Sequence, residues 1–295
     1  MKAVPLPSAI FLRNIFIKLN YMLYIFLGRG YMILVFDIGN TNIKTAVFDD
    51  DKMMHVWRIS TDIRRTGDEY FSILSPLFRD AKIDCQKIED VVLSSVVPAL
   101  IGPFVNVSHK LTGKKPLVIG PDMYDRLPVK VPATGVHEIG TDLLCDALEA
   151  WCKYKSPCII ADFGTALSFT AVDKNGNIAG VAIAPGIRTA FNSLFNNTAQ
   201  IPAIPLEIPP TSLGKNTTIA VQSGIVLGYK GLVESLIKNM KSDMEKETGT
   251  KATEIKVIAT GGLNSMLQPI TDIFDFLDKE LTINGMVRIS KLLKK

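Results

Sequence analysis

Two acidic turns carry the clearest chemical signal in this sequence. The first, Asp37-Ile38-Gly39-Asn40-Thr41-Asn42, closes the apolar run Ile33-Leu34-Val35-Phe36. A carboxylate at a strand end can hold a divalent cation, directly or through water. The turn behind it offers backbone N–H groups and hydroxyls to a phosphate chain. Gly39 keeps a Cβ out of the ligand's path. Taken alone, the same residues would also make an ordinary hairpin turn, because Asn and Gly favour turns. The second turn, Asp162-Phe163-Gly164-Thr165-Ala166, follows Cys158-Ile159-Ile160-Ala161 at an offset of 125 residues. Two such turns facing one another across a cleft would suit phosphoryl transfer, which asks the protein mainly for positioning and charge neutralisation.

Other residues could complete such a site. Gly140-Thr141-Asp142 opens a predicted helix. Asp142 there either complements the helix dipole or accepts a proton from an attacking hydroxyl. His137 is the lesser candidate. Thr260-Gly261-Gly262 follows a strand, where bare backbone could lie against a base or ribose. No Walker A loop, GxGxxG loop or HRD-type catalytic loop is present, so Asp162-Phe163-Gly164 is not the protein-kinase triplet.

The elements that must position these residues also repeat. Thr45-Ala46-Val47 matches Thr170-Ala171-Val172 at the same offset, and each copy then reaches a polar hairpin turn, Asp49 to Lys52 in one and Asp173 to Gly176 in the other. The pattern predicts strands near 33–37, 42–48, 53–59, 90–94 and 116–119, with helices near 66–80 and 100–112. A loop over 121–138 and a helix near 140–154 lead to strands near 158–162, 166–172 and 178–184. A helix near 187–195, a proline-rich loop at 202–210, a long helix near 216–243 and a strand at 255–259 follow. The fold class is therefore α/β with mixed sheets in two similar domains, read as 32–150 and 151–295.

Composition narrows the partners. The net charge of +4 comes wholly from Lys2, Arg13, Lys18 and Arg29, leaving 29 basic and 29 acidic residues in 32–295. No nucleic-acid partner is expected from that balance. Residues 1–31 fit neither a membrane span nor a signal peptide, because Arg13, Asn14, Lys18 and Asn20 interrupt the apolar stretch. An amphipathic surface helix is one alternative. The favoured expectation is an extension outside the fold, with Met32 as the natural start and no membrane partner. Cys85, Cys145, Cys152 and Cys158 show no CxxC spacing. Reduced thiols in a reducing, cytoplasmic compartment are the simpler expectation.

Read together, Asp37 to Asn42, Ser94-Ser95-Val96-Val97-Pro98, Asp162 to Ala166, Ala184-Pro185-Gly186, Thr198 to Pro202, Thr260 to Gly262 and the closing Leu281 to Met286 resemble the type III pantothenate kinases across 32–295. The resemblance implies a duplicated actin-like (ribonuclease H-like) fold with an interdomain cleft. It implies ATP-dependent phosphorylation of pantothenate, the first step to coenzyme A, by a homodimer using Mg²⁺ and a monovalent cation such as K⁺ or NH₄⁺. Carried over, Asp37, Ile38, Gly39, Asn40, Thr41, Asn42, Ile43, Lys44 and Thr165 would bind ATP. Asp162 would ligate the monovalent cation, and Asp142 would be the proton acceptor. Gly140, Thr141, Asp142, Leu143 and Thr198 would line the pantothenate pocket, Thr198 in the partner's site. The family pattern has Arg where this chain has Leu143, and Gly-Gly where it has Gly180-Val181. Arg188 is the candidate replacement cation. On the same fold, a regulatory nucleotide-binding protein or a kinase for another small hydroxylated metabolite are the alternatives.

Overall fold

The computed structural model describes residues 30–196, 204–262 and 264–294. The chain divides into two compact units. The first holds β1 (Met32–Ile38), β2 (Asn42–Asp49), β3 (Lys52–Ser60), α1 (Gly67–Asp80), β4 (Ile88–Ser95), α2 (Ile101–Thr112) and β5 (Leu117–Val118). Its sheet runs in the order β3-β2-β1-β4-β5. The central strand is apolar without alternation because both its faces are covered, and Ile33 through Phe36 are fully buried. Leu34, Phe36 and Ile38 enter a core with Tyr70, Leu74 and Phe78 of α1 and Phe104 and Val107 of α2. Helix α1 starts where Thr66 and Glu69 cap each other reciprocally, which satisfies two otherwise orphaned N–H groups.

The second unit holds α3 (Thr141–Tyr154), β6 (Cys158–Phe163), β7 (Ala166–Val172), β8 (Ile178–Pro185), α4 (Ile187–Asn196), α5 (Thr217–Gln222), α6 (Gly228–Thr248), β9 (Lys256–Gly261), α7 (Asn264–Leu267) and β10 (Phe276–Leu277). A final helix, α8 (Leu281–Leu293), begins in this unit, but from Met286 onward it belongs to the first. The sheet order β8-β7-β6-β9-β10 repeats that of the first unit strand for strand. In each, the first three strands are antiparallel neighbours and the last two add in parallel. Asp37 lies between Lys44 and Ser94, and Asp162 between Ser168 and Thr260. The echo at 125 residues is thus a duplicated sheet.

Several features differ from the sequence reading. The units part at 119/120, where the sequence suggested 150/151, since α3 lies with Gly120–Gly285. The long helix is interrupted by a π-turn at Ser223–Leu227 and runs on to Thr248. Neither β10 nor α8 was foreseen. Strand β10 has only two residues, and α8 contains Gly285 and four β-branched residues that lower its helical propensity. Burial holds α8 in place: Leu281, Ile283, Met286 and Ile289 are fully buried. Gly285 is required there, because a Cβ would stand 2.1 Å from the Cys145 carbonyl oxygen. Tyr31, expected outside the fold, is part of it. Its carbonyl accepts the Asp50 N–H, its own N–H donates to the Asp50 carboxylate, and its hydroxyl meets Asp90, beside Lys294. Residues 1–29 lie outside the described residues.

Candidate active site

In the first unit the β1–β2 turn sits at the carboxyl end of the central strand. Gly39 donates its N–H to the Asn42 carbonyl at 3.0 Å. A Cβ on Gly39 would come within 3.1 Å of that same oxygen, so the turn favours glycine. Asp37, Gly39 and Lys44 are half-buried, whereas Asn40, Thr41 and Asn42 are exposed. Ile38 and Ile43 point into the core, which leaves only their backbone for a ligand. Pairing of β1 with β4 sets Ser94 beside Asp37 and Ser95 beside Ile38, and Val96 donates its N–H to the Ile38 carbonyl. Thr61, just past β3, holds the turn from the other side. Its N–H donates to Thr41 O at 3.0 Å and its Oγ1 to Gly39 O at 2.6 Å. Sequence reading passed over Thr61; its only signal was its place directly after the third strand.

The equivalent turn of the second unit is braced by the Pro185-Gly186 corner. Gly186 donates its N–H to Thr165 O at 2.9 Å, and Thr189 Oγ1 donates to the same carbonyl at 2.7 Å. A Cβ at Gly186 would stand 2.4 Å from Gly164 O and 2.5 Å from Thr165 O, so no other residue fits. Tyr229 holds the corner itself, donating its hydroxyl to Pro185 O at 2.7 Å. Behind the turn, Gly261 has φ +83°, and a Cβ there would lie 2.5 Å from Asp162 Oδ1. The Asp162 carboxylate therefore rests against bare backbone, half-buried, while Gly164 and Thr165 are exposed. Among the described residues no three His, Cys, Asp or Glu side chains gather as a metal cage. One carboxylate per turn instead suits a cation completed by phosphate oxygens, carbonyls and water, the usual mode for Mg²⁺ at nucleotide sites.

Asp142 begins α3. Gly140 is the N-cap and supplies no side-chain cap, and the Asp142 carboxylate takes that role. Its Oδ1 accepts the Leu143 N–H at 2.8 Å and fills the space where a Cβ of residue 140 would be. Burial pushes the Asp142 pKa up, and the N–H groups of Leu143 and Asp142 itself pull it partly back. A carboxylate so placed is a stronger base than an ordinary aspartate. Tyr124, within the predicted loop, is buried. Burial first, then the charges of Cys145, Asp142 and Asp122, push its hydroxyl to about 12. Leu143 is only 8 % exposed, so its side chain belongs to the core more than to an open pocket. Arg188 is exposed in the first turn of α4, two residues past Gly186, and His137 stays exposed in its loop. Thr198 lies outside the described residues.

Comparison with known proteins identifies the family. The family model for "Type III pantothenate kinase" matches residues 33–239. The type III pantothenate kinase of Exiguobacterium sibiricum is 38% identical over 255 residues, covering 86% of this chain and 97% of the relative. That of Treponema pallidum is 37% identical over 263 residues, covering 88% and 93%. Among solved structures, a Baf-family protein from Campylobacter jejuni superposes with a TM-score of 0.53 at 17% identity, covering 88% of this chain and 97% of its own. MreB 5 of Spiroplasma citri, bound to AMPPNP, superposes at 0.50 and 10% identity, covering 90% and 97%. At such low identities these two structures speak for the duplicated actin-like fold alone. By the family model and the two kinase sequences, this chain belongs to the type III pantothenate kinase family.

Proposed function

We propose that this protein transfers the γ-phosphoryl group of ATP to the primary hydroxyl of pantothenate, giving 4′-phosphopantothenate and ADP at the first step towards coenzyme A. Family membership supplies the substrates. The chemistry rests on one observation, the half-buried carboxylate of Asp142 in the first turn of α3, whose pKa is raised by desolvation. As the substrate oxygen attacks the γ-phosphorus, its proton passes to Asp142 and the bond from phosphorus to the ADP oxygen breaks. The turn from Asp37 to Lys44 binds the phosphates through exposed Asn40, Thr41 and Asn42, and Thr165 contacts the nucleotide from the second turn. Asp37 would hold Mg²⁺ and Asp162 a monovalent cation, K⁺ or NH₄⁺; bound there, they would neutralise the phosphate charge.

Gly140 and Thr141 contact the pantothenate, with Thr198 reaching the partner subunit's pocket in a homodimer. Leu143 is packed into the core, so its position offers no cation to the substrate carboxylate. Arg188, exposed beside the Gly186 corner, is the replacement, because a carboxylate taken from water needs a charged partner. The four cysteines stand outside any disulfide, as a cytoplasmic enzyme would keep them, and no helix among the described residues is long and apolar enough to cross a membrane. The deciding experiment is ATP consumption by the purified protein with and without pantothenate. One ADP per phosphopantothenate is expected; ADP release indifferent to pantothenate would reject the reading.

A further inference from the structure

We infer that Thr61 is a positioning residue that sets the nucleotide turn of the first unit, acting from outside that turn. The inference rests on the reading of Asp37 to Lys44 as the ATP-phosphate turn. Two carbonyls of the turn, Gly39 and Thr41, both point at one residue, which engages them with its side chain at 2.6 Å and its N–H at 3.0 Å. Carbonyls held on that side cannot turn towards the phosphates, where they would repel negative charge. Thr61 is in turn held by the core. The next residue, Asp62, gives its N–H to the Tyr70 hydroxyl and takes that hydroxyl's proton on its own carbonyl, each at 2.9 Å. Tyr70 is fully buried on α1 and packs on Phe104, with ring centroids 4.9 Å apart. A continuous line thus runs from the core through Tyr70 and Thr61 to the turn.

The duplicated sheet supports a positioning role. In both units the residue directly after the third strand, Thr61 or Gly186, donates its N–H to a carbonyl of the acidic turn. The side-chain bond is divided differently. Thr61 supplies its own hydroxyl, whereas in the second unit Thr189 of α4 supplies it. A bare glycine suffices at 186 because the Thr189 hydroxyl reaches in, whereas at Gly39 the bond comes from Thr61 itself. The Thr61 hydroxyl is therefore a removable clamp on the first turn.

The test compares Thr61→Val with Thr61→Ser. The valine keeps the shape and backbone but loses the hydroxyl; the serine keeps the hydroxyl. Thr61→Val is expected to raise the KM for ATP about tenfold, the usual scale of one lost positioning bond, with the KM for pantothenate unchanged. Thr61→Ser should restore it. Amide hydrogen exchange of residues 39–42 without nucleotide is read in parallel, and should quicken in Thr61→Val alone. If exchange does not quicken, the clamp is wrong. If it quickens while the KM for ATP stays put, the turn is not the nucleotide site and the reading beneath the inference fails. If both Michaelis constants rise together, or the serine fails to rescue, Thr61 merely supports the fold and the inference is overturned.

Discussion

Replacing Gly186 with alanine adds one methyl group at a crowded point of the second unit. The new carbon would lie 2.4 Å and 2.5 Å from two backbone oxygens, Gly164 O and Thr165 O. Neither oxygen can swing aside as a flexible side chain would. Carbon–oxygen contacts become tolerable only beyond about 3.0 Å, so the turn must retreat by at least ~0.6 Å. The retreat also stretches the Gly186 bond to Thr165 O, now 2.9 Å. Misplacing a catalytic group by about 1 Å costs roughly 10²-fold in rate, so kcat should fall by roughly 10- to 10²-fold. Overpacking of this kind costs about 1–3 kcal/mol, so a lower melting temperature should accompany the loss. Gly180→Ala, on the strand that leads into Gly186 but with open space around its Cβ, is the control. Coupled ADP-release kinetics and thermal denaturation on both variants decide the matter. A Gly186→Ala enzyme with full turnover, or a Gly180→Ala enzyme equally damaged, would refute the role given to this corner.

Asp142→Asn should lower kcat by about 10²–10⁴-fold with little change in the KM for ATP, because in the proposed reaction the side chain serves the acceptor hydroxyl and not the nucleotide. Since burial raises the Asp142 pKa, the acid limb of kcat/KM should lie above the ordinary aspartate range and vanish in the variant. The same shift fixes the sign for stability. The folded state binds the proton more tightly than the unfolded chain, so this group's contribution is full below its unfolded pKa and is lost as pH rises through the folded one. Asp142→Asn should therefore melt no lower than wild type at pH 7, and a clear drop there would contradict the burial argument. Arg188→Ala should raise the KM for pantothenate about 10-fold or more and leave that for ATP alone, as expected for a lost charge-assisted contact; equal KM values would return the carboxylate's partner to some other residue.

Much of the fold was legible because it is written twice. A carboxylate closing an apolar run, a small polar turn and an answering strand recur at 37 and 162, and repetition fixed both sheets where one copy would have read as a plain hairpin. Local signals also marked α1 well, since Thr66 and Glu69 form a capping box visible in the sequence. What stayed hidden depends on contacts across long separations. Thr61 matters only because β3 returns it to Gly39, and Gly186 only because β8 ends against Gly164. Leu143 showed itself in sequence as a missing arginine, but its burial could not be read from spacing. Helix α8 defied propensity because its stability comes from full burial of Leu281, Ile283, Met286 and Ile289. The π-turn at Ser223–Leu227 had no residue pattern to announce it.

That last helix has a bearing on how the protein is made. The first unit is not finished until the second has been translated, because the segment from Met286 onward belongs to it. Ser290 bonds Asp90 at 3.2 Å, and Lys291 bonds the Asp50 carbonyl at 3.0 Å and the Asp51 carboxylate at 2.7 Å. The emerging amino-terminal half must wait, incomplete, through the whole translation of the other half. A nonsense codon just before Met286 would injure the first unit and spare the second, and a fragment ending at Ile119 would lack its own closing piece.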